Sequence, residues 1–426
     1  MNIDPAAREP DELPPSLPPA EPDPAPNPSR GPLDGIRVLD ISTVYAAPIA
    51  AMLLGDYGAE VIKIEHPTGD PARTHGAQKN GHGLWWKVIS RNKTCLTLNL
   101  GTSEGQEIFR DLVVDADVLV ENFRPGVLEK WGLGPERLHT INPSLIMLRV
   151  TGFGQCGPYS ERRAFGTLAE AMSGFAHQTG PEDGPPTLPP FGLADGVAGL
   201  AGAFGVVTAL WHRRAQGAEG KGQVIDLSLL EPLLGILGPG PTAYDQLGTI
   251  AGRNGNRSPN NAPRNTYLTL DNRWVAISAS ATSVAERVMR LVGRADIVEE
   301  AWFTSAGERS RHGDLLDDAV AKWIAARPFE EVVAEFERVG AAIAPIYDVA
   351  QLMNDPHVIT RESITTVEDE DLGPIKMQNL MLRMLGTPGR IRFTGRRLGQ
   401  DNEQFYRAAL GLTPDRLAAL TEKGVI

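Results

Sequence analysis

LDGIRVLDISTVYAAPIAAMLLGDYGAEVIKIE, residues 33–65, decides the fold. Apolar residues alternate through 36–40, which predicts a strand. Ala46, Ala47 and Pro48 then open a helix, with the proline close to the first turn, where its missing N–H costs nothing. The helix is expected over 49–57 and stops at Gly58, and 59–64 reads as the next strand. Strand, helix and strand in this order form a β-α-β unit. Such units build parallel sheets with right-handed crossovers and gather ligands at the carboxyl ends of the strands. The first turn lacks G-x-G-x-x-G, which argues against a nicotinamide or flavin enzyme.

Working outward, residues 1–30 are rich in Pro, Asp, Glu and Ala with almost no large apolar side chains, and are expected to be a disordered tail. Downstream the pattern continues with strands at 94–100, 118–120 and 145–150, a helix over 103–116 and a glycine-rich loop at 151–158. A short helix begins near Gly166. A helix over 196–214 carries Gly or Ala at 198, 199, 201, 202, 203 and 205, the composition of close helix packing. Asp195, just ahead of it, reads as its cap. Residues 235–265 are rich in Gly, Pro and Asn and read as linker and loop. A hairpin at 267–278 and amphipathic helices near 282–292, 314–326 and 329–338 follow. The expected organisation is a Rossmann-like α/β large domain from 31–230 and 355–426, with linkers and a small α+β domain at 231–354.

The chain of 426 residues has a net charge of −12, which argues against nucleic acid or an acidic membrane as partner. An anionic ligand would need a local basic patch. Cys95 and Cys156 supply neither a disulfide framework nor a metal-ligand cluster, and suit a cytoplasmic location. No apolar run near 18 residues and no secretory signal is read, so no membrane span is expected.

Several stretches stand together in one known pattern: 54–65 (LGDYGAEVIKIE), Arg91-Asn92-Lys93, Glu121-Asn122-Phe123-Arg124-Pro125-Gly126, 151–158 (TGFGQCGP) and 220–229 (GKGQVIDLSL). In these the chain resembles the family III CoA-transferases, the group of formyl-CoA transferase and the carnitine and bile-acid CoA-transferases. The resemblance implies a CoA-binding large domain built from both chain ends and an interlocked dimer. It also implies transfer of CoA between an acyl-CoA thioester and a carboxylic acid, with CoA as substrate and no permanently bound cofactor. On the CoA side it implies Val44, Ala46, His66, Asn92, Lys93, Asn122, Phe123, Arg124, Lys130 and Phe153. Asn offers donor and acceptor to an adenine edge, Phe a flat face, and Arg and Lys charge to phosphates.

The family attacks the thioester with an aspartate. Aligned through Phe165, the resemblance puts Gly166 at that position and Glu170 where the family has Gln. A glycine cannot form the acyl anhydride that covalent transfer requires. Glu170, one helical turn further on, is the substitute candidate. The 2-methylacyl-CoA racemase reading suffers in the same way, since Ala164-Phe165-Gly166 stands for its G-H-D. The loop 255–262, with Pro259, stands where formyl-CoA transferase has a glycine-only cover, and is expected to be stiffer. Three readings stay open. In the first, a related partner chain supplies the Asp, as in hetero-oligomers of the benzylsuccinate CoA-transferase type. In the second, the chain acts alone through Glu170. In the third, it is a non-catalytic CoA-binding or regulatory protein. The acyl donor and acceptor are not specified; succinyl-CoA is a donor by analogy.

Overall fold

The computed structural model describes residues 31–426, so the tail expected at 1–30 lies outside the described residues. Six parallel strands form the main sheet: β1 (Arg37–Asp40), β2 (Glu60–Glu65), β3 (Lys93–Thr97), β4 (Val118–Glu121), β5 (Ile146–Thr151) and β6 (Val224–Ser228). Their order is β3-β2-β1-β4-β5-β6, the doubly wound arrangement of dinucleotide folds. Val38, Leu39, Ile62, Leu119 and Val120 are completely buried because helices cover both faces.

One face packs on α1 (Ala46–Asp56) and, later in the chain, on the long helix that bears Asp195; the other packs on α2 (Ser103–Val113) and the C-terminus. The chain end returns to the first domain through Tyr406, whose hydroxyl donates to the Thr97 carbonyl at 2.8 Å, and through Asn99 N–H to the Val425 carbonyl at 2.7 Å. Two further helices, α3 (Gly166–Met172) and α4 (Leu193–Ala215), follow β5. The small residues of α4 serve close packing on α1. A Cβ on Gly199 would stand 2.6 Å from Ile49 Cγ2, and one on Gly202 3.0 Å from Leu148.

The small α+β part is a three-stranded antiparallel sheet (Arg264–Leu268, Trp274–Ser278, Ile343–Pro345) covered by helices Thr282–Leu291, Gly313–Ala325 and Phe329–Arg338. It has its own core around Val275, Val288, Leu316 and Phe336. Two expectations need correction. Residues 235–265 are not all loop, since helices Leu230–Ile236 and Gly240–Leu247 reach into or lie within them. Their Gly and Pro content hid the period, and Ile236, Tyr244 and Leu247 stay exposed. The expected absence of a long apolar run also fails for α4, which is long and apolar enough to cross a membrane, with a mean hydropathy of 1.7. Here one side of it is packed on α1 and the sheet, while Phe204 and Trp211 are exposed.

Candidate active site

The strand order reverses between β1 and β4, and the crevice at their carboxyl ends is where such sheets bind ligands. The β1–α1 turn runs through Ser42, Thr43, Val44 and Tyr45. Val44 has φ +67°, a left-handed conformation that a β-branched residue adopts only when its surroundings enforce it. They do. Val44 N–H donates to Asp70 Oδ1 at 3.2 Å, and Thr43 exchanges two 2.8 Å hydrogen bonds with the Asn122 side chain across the crevice.

Beneath the turn lies a buried ionic cluster. Lys93 Nζ donates to Asp40 Oδ2 and to the Pro48 carbonyl, both at 2.8 Å, and Lys63 Nζ lies 3.1 Å from Asp70 Oδ2. Burial alone would raise the Asp40 carboxyl, but Lys63 and Lys93 outweigh it and hold the group below the usual carboxylate range. Burial pushes the Lys93 ammonium down against the pull of Asp40.

The residues expected on the CoA side therefore divide. Lys93 is fully buried and paired. Asn92 is buried, donates to Asp56 Oδ1 at 2.9 Å and to the Arg390 carbonyl at 3.0 Å, and accepts from Arg392 N–H at 2.7 Å. Both brace the fold, and both side chains are buried on internal partners. Asn122 spends one donor and one acceptor on Thr43, and Ala46 is buried in the first turn of α1. Phe123 packs edge-on against Trp131 with ring centres 5.2 Å apart, and Phe153 against Tyr159 at 5.8 Å. Arg124 and Lys130 are exposed, and neither side chain has a partner among the described residues. His66 is exposed and bonded through Nδ1 to Thr68 Oγ1 at 2.8 Å. The loop 255–262 is fastened to the small domain by Arg257 to Asp317 at 2.6 Å and Ser310 Oγ to the Ser258 carbonyl at 2.6 Å.

Gly166 stands against a carboxylate from another helix. The space beside Gly166 is not empty: a Cβ built there would stand 2.2 Å from Asp195 Oδ2. Asp195 stands inside the first turn of α4, after the boundary residue Gly192, and its carboxyl accepts from its own backbone N–H. Its carboxyl is pushed up to about 6, first by burial and then by the charge of Glu170. Glu170 is 2 % exposed and accepts the Ala194 N–H at 3.1 Å through Oε1. From the β1–α1 turn comes Tyr45, a residue the sequence did not single out. Its ring meets His75 and Trp85 edge-on at 5.2 and 5.1 Å, and its hydroxyl is pushed up by burial and by Asp195. Buried polar atoms without a protein partner include Trp85 Nε1 on the short helix Leu84–Ile89, Thr151 Oγ1 at the end of β5 and Gln155 Nε2 in the loop after it. Such groups at a crevice are open to a ligand.

A carboxylate held in a desolvated crevice of this fold is the equipment of an acyl-transfer enzyme, and the chain is a CoA-transferase: it belongs to CoA-transferase family III, which residues 33–402 match. Among its relatives is the succinyl-CoA–D-citramalate CoA-transferase of Chloroflexus aurantiacus, 42% identical over 397 residues, covering 93% of this chain and 98% of the relative. The beta subunit of succinyl-CoA–L-malate CoA-transferase from the same organism is 39% identical over 93% of this chain and 98% of its own. Among solved structures, a CAIB/BAIF family protein from Brucella suis superposes with a TM-score of 0.78 at 28% identity, over 89% of this chain and all of its own.

Proposed function

We propose that Asp195 is the nucleophile of this CoA-transferase, so that the chain carries its own carboxylate and Gly166 marks no loss. The observation that carries this reading is the Asp195 carboxyl lying against Gly166 at the N-terminus of α4, with Glu170 and Tyr45 acting on it. An Asp195 oxygen attacks the thioester carbonyl; the C–S bond breaks, CoA leaves as thiolate and a mixed anhydride remains. The thiolate then attacks the Asp195 carbonyl, releasing the donor acid and leaving an enzyme thioester. The acceptor carboxylate attacks that thioester, the C–S bond breaks to release CoA thiolate and a second mixed anhydride forms; the thiolate then attacks the acceptor's carbonyl, giving the new acyl-CoA and freeing the Asp195 carboxylate. Each hard step is split into easier ones. The N-terminus of α4 favours negative charge developing beside it.

Succinyl-CoA is the donor and a short dicarboxylic acid the acceptor in this proposal, supported by the names of the relatives. The acting unit is a homodimer. Its support is the exposed apolar surface of Phe165, Phe204, Trp211, Ile236 and Leu247, which a second copy would cover. A chain with its own nucleophile needs no partner gene product. The test is hydroxylamine or borohydride trapping of the purified chain with succinyl-CoA. The modification is expected on Asp195 and should be absent from Asp195→Asn. Label on Glu170, or label only when a second homologous chain is added, overturns the reading.

A further inference from the structure

The family residue at position 170 is Gln by resemblance, and this chain has a buried carboxylate there. Two features tie Glu170 to Asp195. Its Oε1 accepts the amide of Ala194, the residue immediately before Asp195, at 3.1 Å. Gly166, one turn earlier on α3, offers no side chain, so the Asp195 carboxyl leans over its Cα toward the element that bears Glu170.

We propose that Glu170 is a positioning residue for the nucleophile: it fixes the first turn of α4 through the Ala194 amide and sets a second carboxylate on the element over which the Asp195 carboxyl leans. This rests on Asp195 being the nucleophile. The groups facing Asp195 are few. Glu170 comes from α3 and Tyr45 from the β1–α1 turn, and the rest of the first two turns of α4 and the 188–192 approach carry no ionisable residue. Helix Leu230–Ile236, which packs on α3, carries Glu231 as its one charged residue. No cation acts on Asp195, so burial and a like charge both favour the neutral acid. The chemical consequence is a nucleophile that switches on as pH rises through the region near 6. The basic carboxylate so formed is a stronger attacking group than an ordinary aspartate.

The test is the pH profile of kcat/KM for CoA transfer, wild type against Glu170→Gln. Glutamine keeps an oxygen for the Ala194 N–H and removes the charge. The acid limb is expected near pH 6 in the wild type and at lower pH in the variant. A merely structural role would change the amplitude and leave the limb in place; an unmoved limb overturns the proposal. Should Glu170→Gln fold poorly, Glu170→Asp decides. It keeps the charge on a shorter arm, so its limb should stay near the wild-type position while the Ala194 bond is lost; a fall equal to that predicted for neutral glutamine would overturn the proposal. Trapping separates the two levels. No label on Asp195 sinks the nucleophile, whereas label on Asp195 with an unmoved limb sinks the role of Glu170 alone.

Discussion

Asp40 and Asp195 are two carboxylates at the same end of the sheet, and their neighbours treat them in opposite ways. Asp40 has Lys93 at 2.8 Å and Lys63 beside it, and is held ionised despite complete burial. Asp195 has a second carboxylate and a phenol for company, and its proton is held up to about 6. The first arrangement spends charge on architecture: the cluster lies beneath the strained Val44 turn and links β1, β2 and β3. The second gives a carboxyl no cation to offset burial and a like charge.

The largest effect should come from breaking the first cluster. Lys93→Ala leaves Asp40 with only the more distant Lys63, and removing one partner of a buried pair costs about 3–5 kcal/mol. Urea denaturation should show that loss, with CoA affinity falling only as far as the folded fraction falls. A fully stable variant that has lost CoA binding would return Lys93 to the ligand site. The next effect lies on the other cluster. Gly166→Ala places a methyl 2.2 Å from Asp195 Oδ2, and the carboxyl must swing away. Because the displaced atom is the end of a movable side chain, stability should change by less than about 1 kcal/mol. Transfer should fall about 100-fold, since a displacement of an ångström at the reacting group costs that much. Loss of stability without loss of rate would place Asp195 outside the chemistry.

A third measurement compares pH dependences. An acid whose pKa is raised on folding binds more protons folded than unfolded between the two values, so it lowers stability as pH rises from about 4 to about 6. Asp195→Asn removes that penalty. The variant should be more stable than wild type by about 2 kcal/mol at pH 7 and indistinguishable from it near pH 4. Equal stability at both values would mean that Asp195 is better solvated than its surroundings indicate.

What the sequence shows of this fold follows from period. The 33–65 stretch and the 267–278 hairpin display their apolar alternation openly, and both appear where expected. The site was harder to read because its partners meet across the chain. Asp195 stands in the first turn of a helix, where an aspartate is ordinarily read as a cap, and nothing local announces its contact with Gly166. Aligning on Phe165 led to Gly166 and Glu170 and could not show that the space beside Gly166 is filled from another helix. The burial of Asn92 and Lys93 is hidden for the converse reason. Polar residues ahead of a strand are usually solvated, and nothing local announces that Asp40 and Asp56 wait in the core to receive them.

The smallest effect concerns the exposed remainder of the CoA-side set. Arg124 and Lys130 are charged, solvent-accessible and without side-chain partners among the described residues, so their substitution breaks no internal bond. If they meet the CoA phosphates, Arg124→Ala and Lys130→Ala should each weaken CoA binding about two- to fivefold in calorimetry at low salt, the size of one exposed ion pair. Raising the ionic strength to about 0.5 M should shrink the difference between variant and wild type, because the Debye length falls to a few ångströms. Thermal stability should be unchanged, in contrast to Lys93→Ala. That contrast separates a lysine that binds from a lysine that builds, although both were drawn from the same sequence pattern. Unchanged affinity at low salt would remove Arg124 and Lys130 from the phosphate contacts and leave the turn residues and the crevice's unpaired donors to hold the nucleotide.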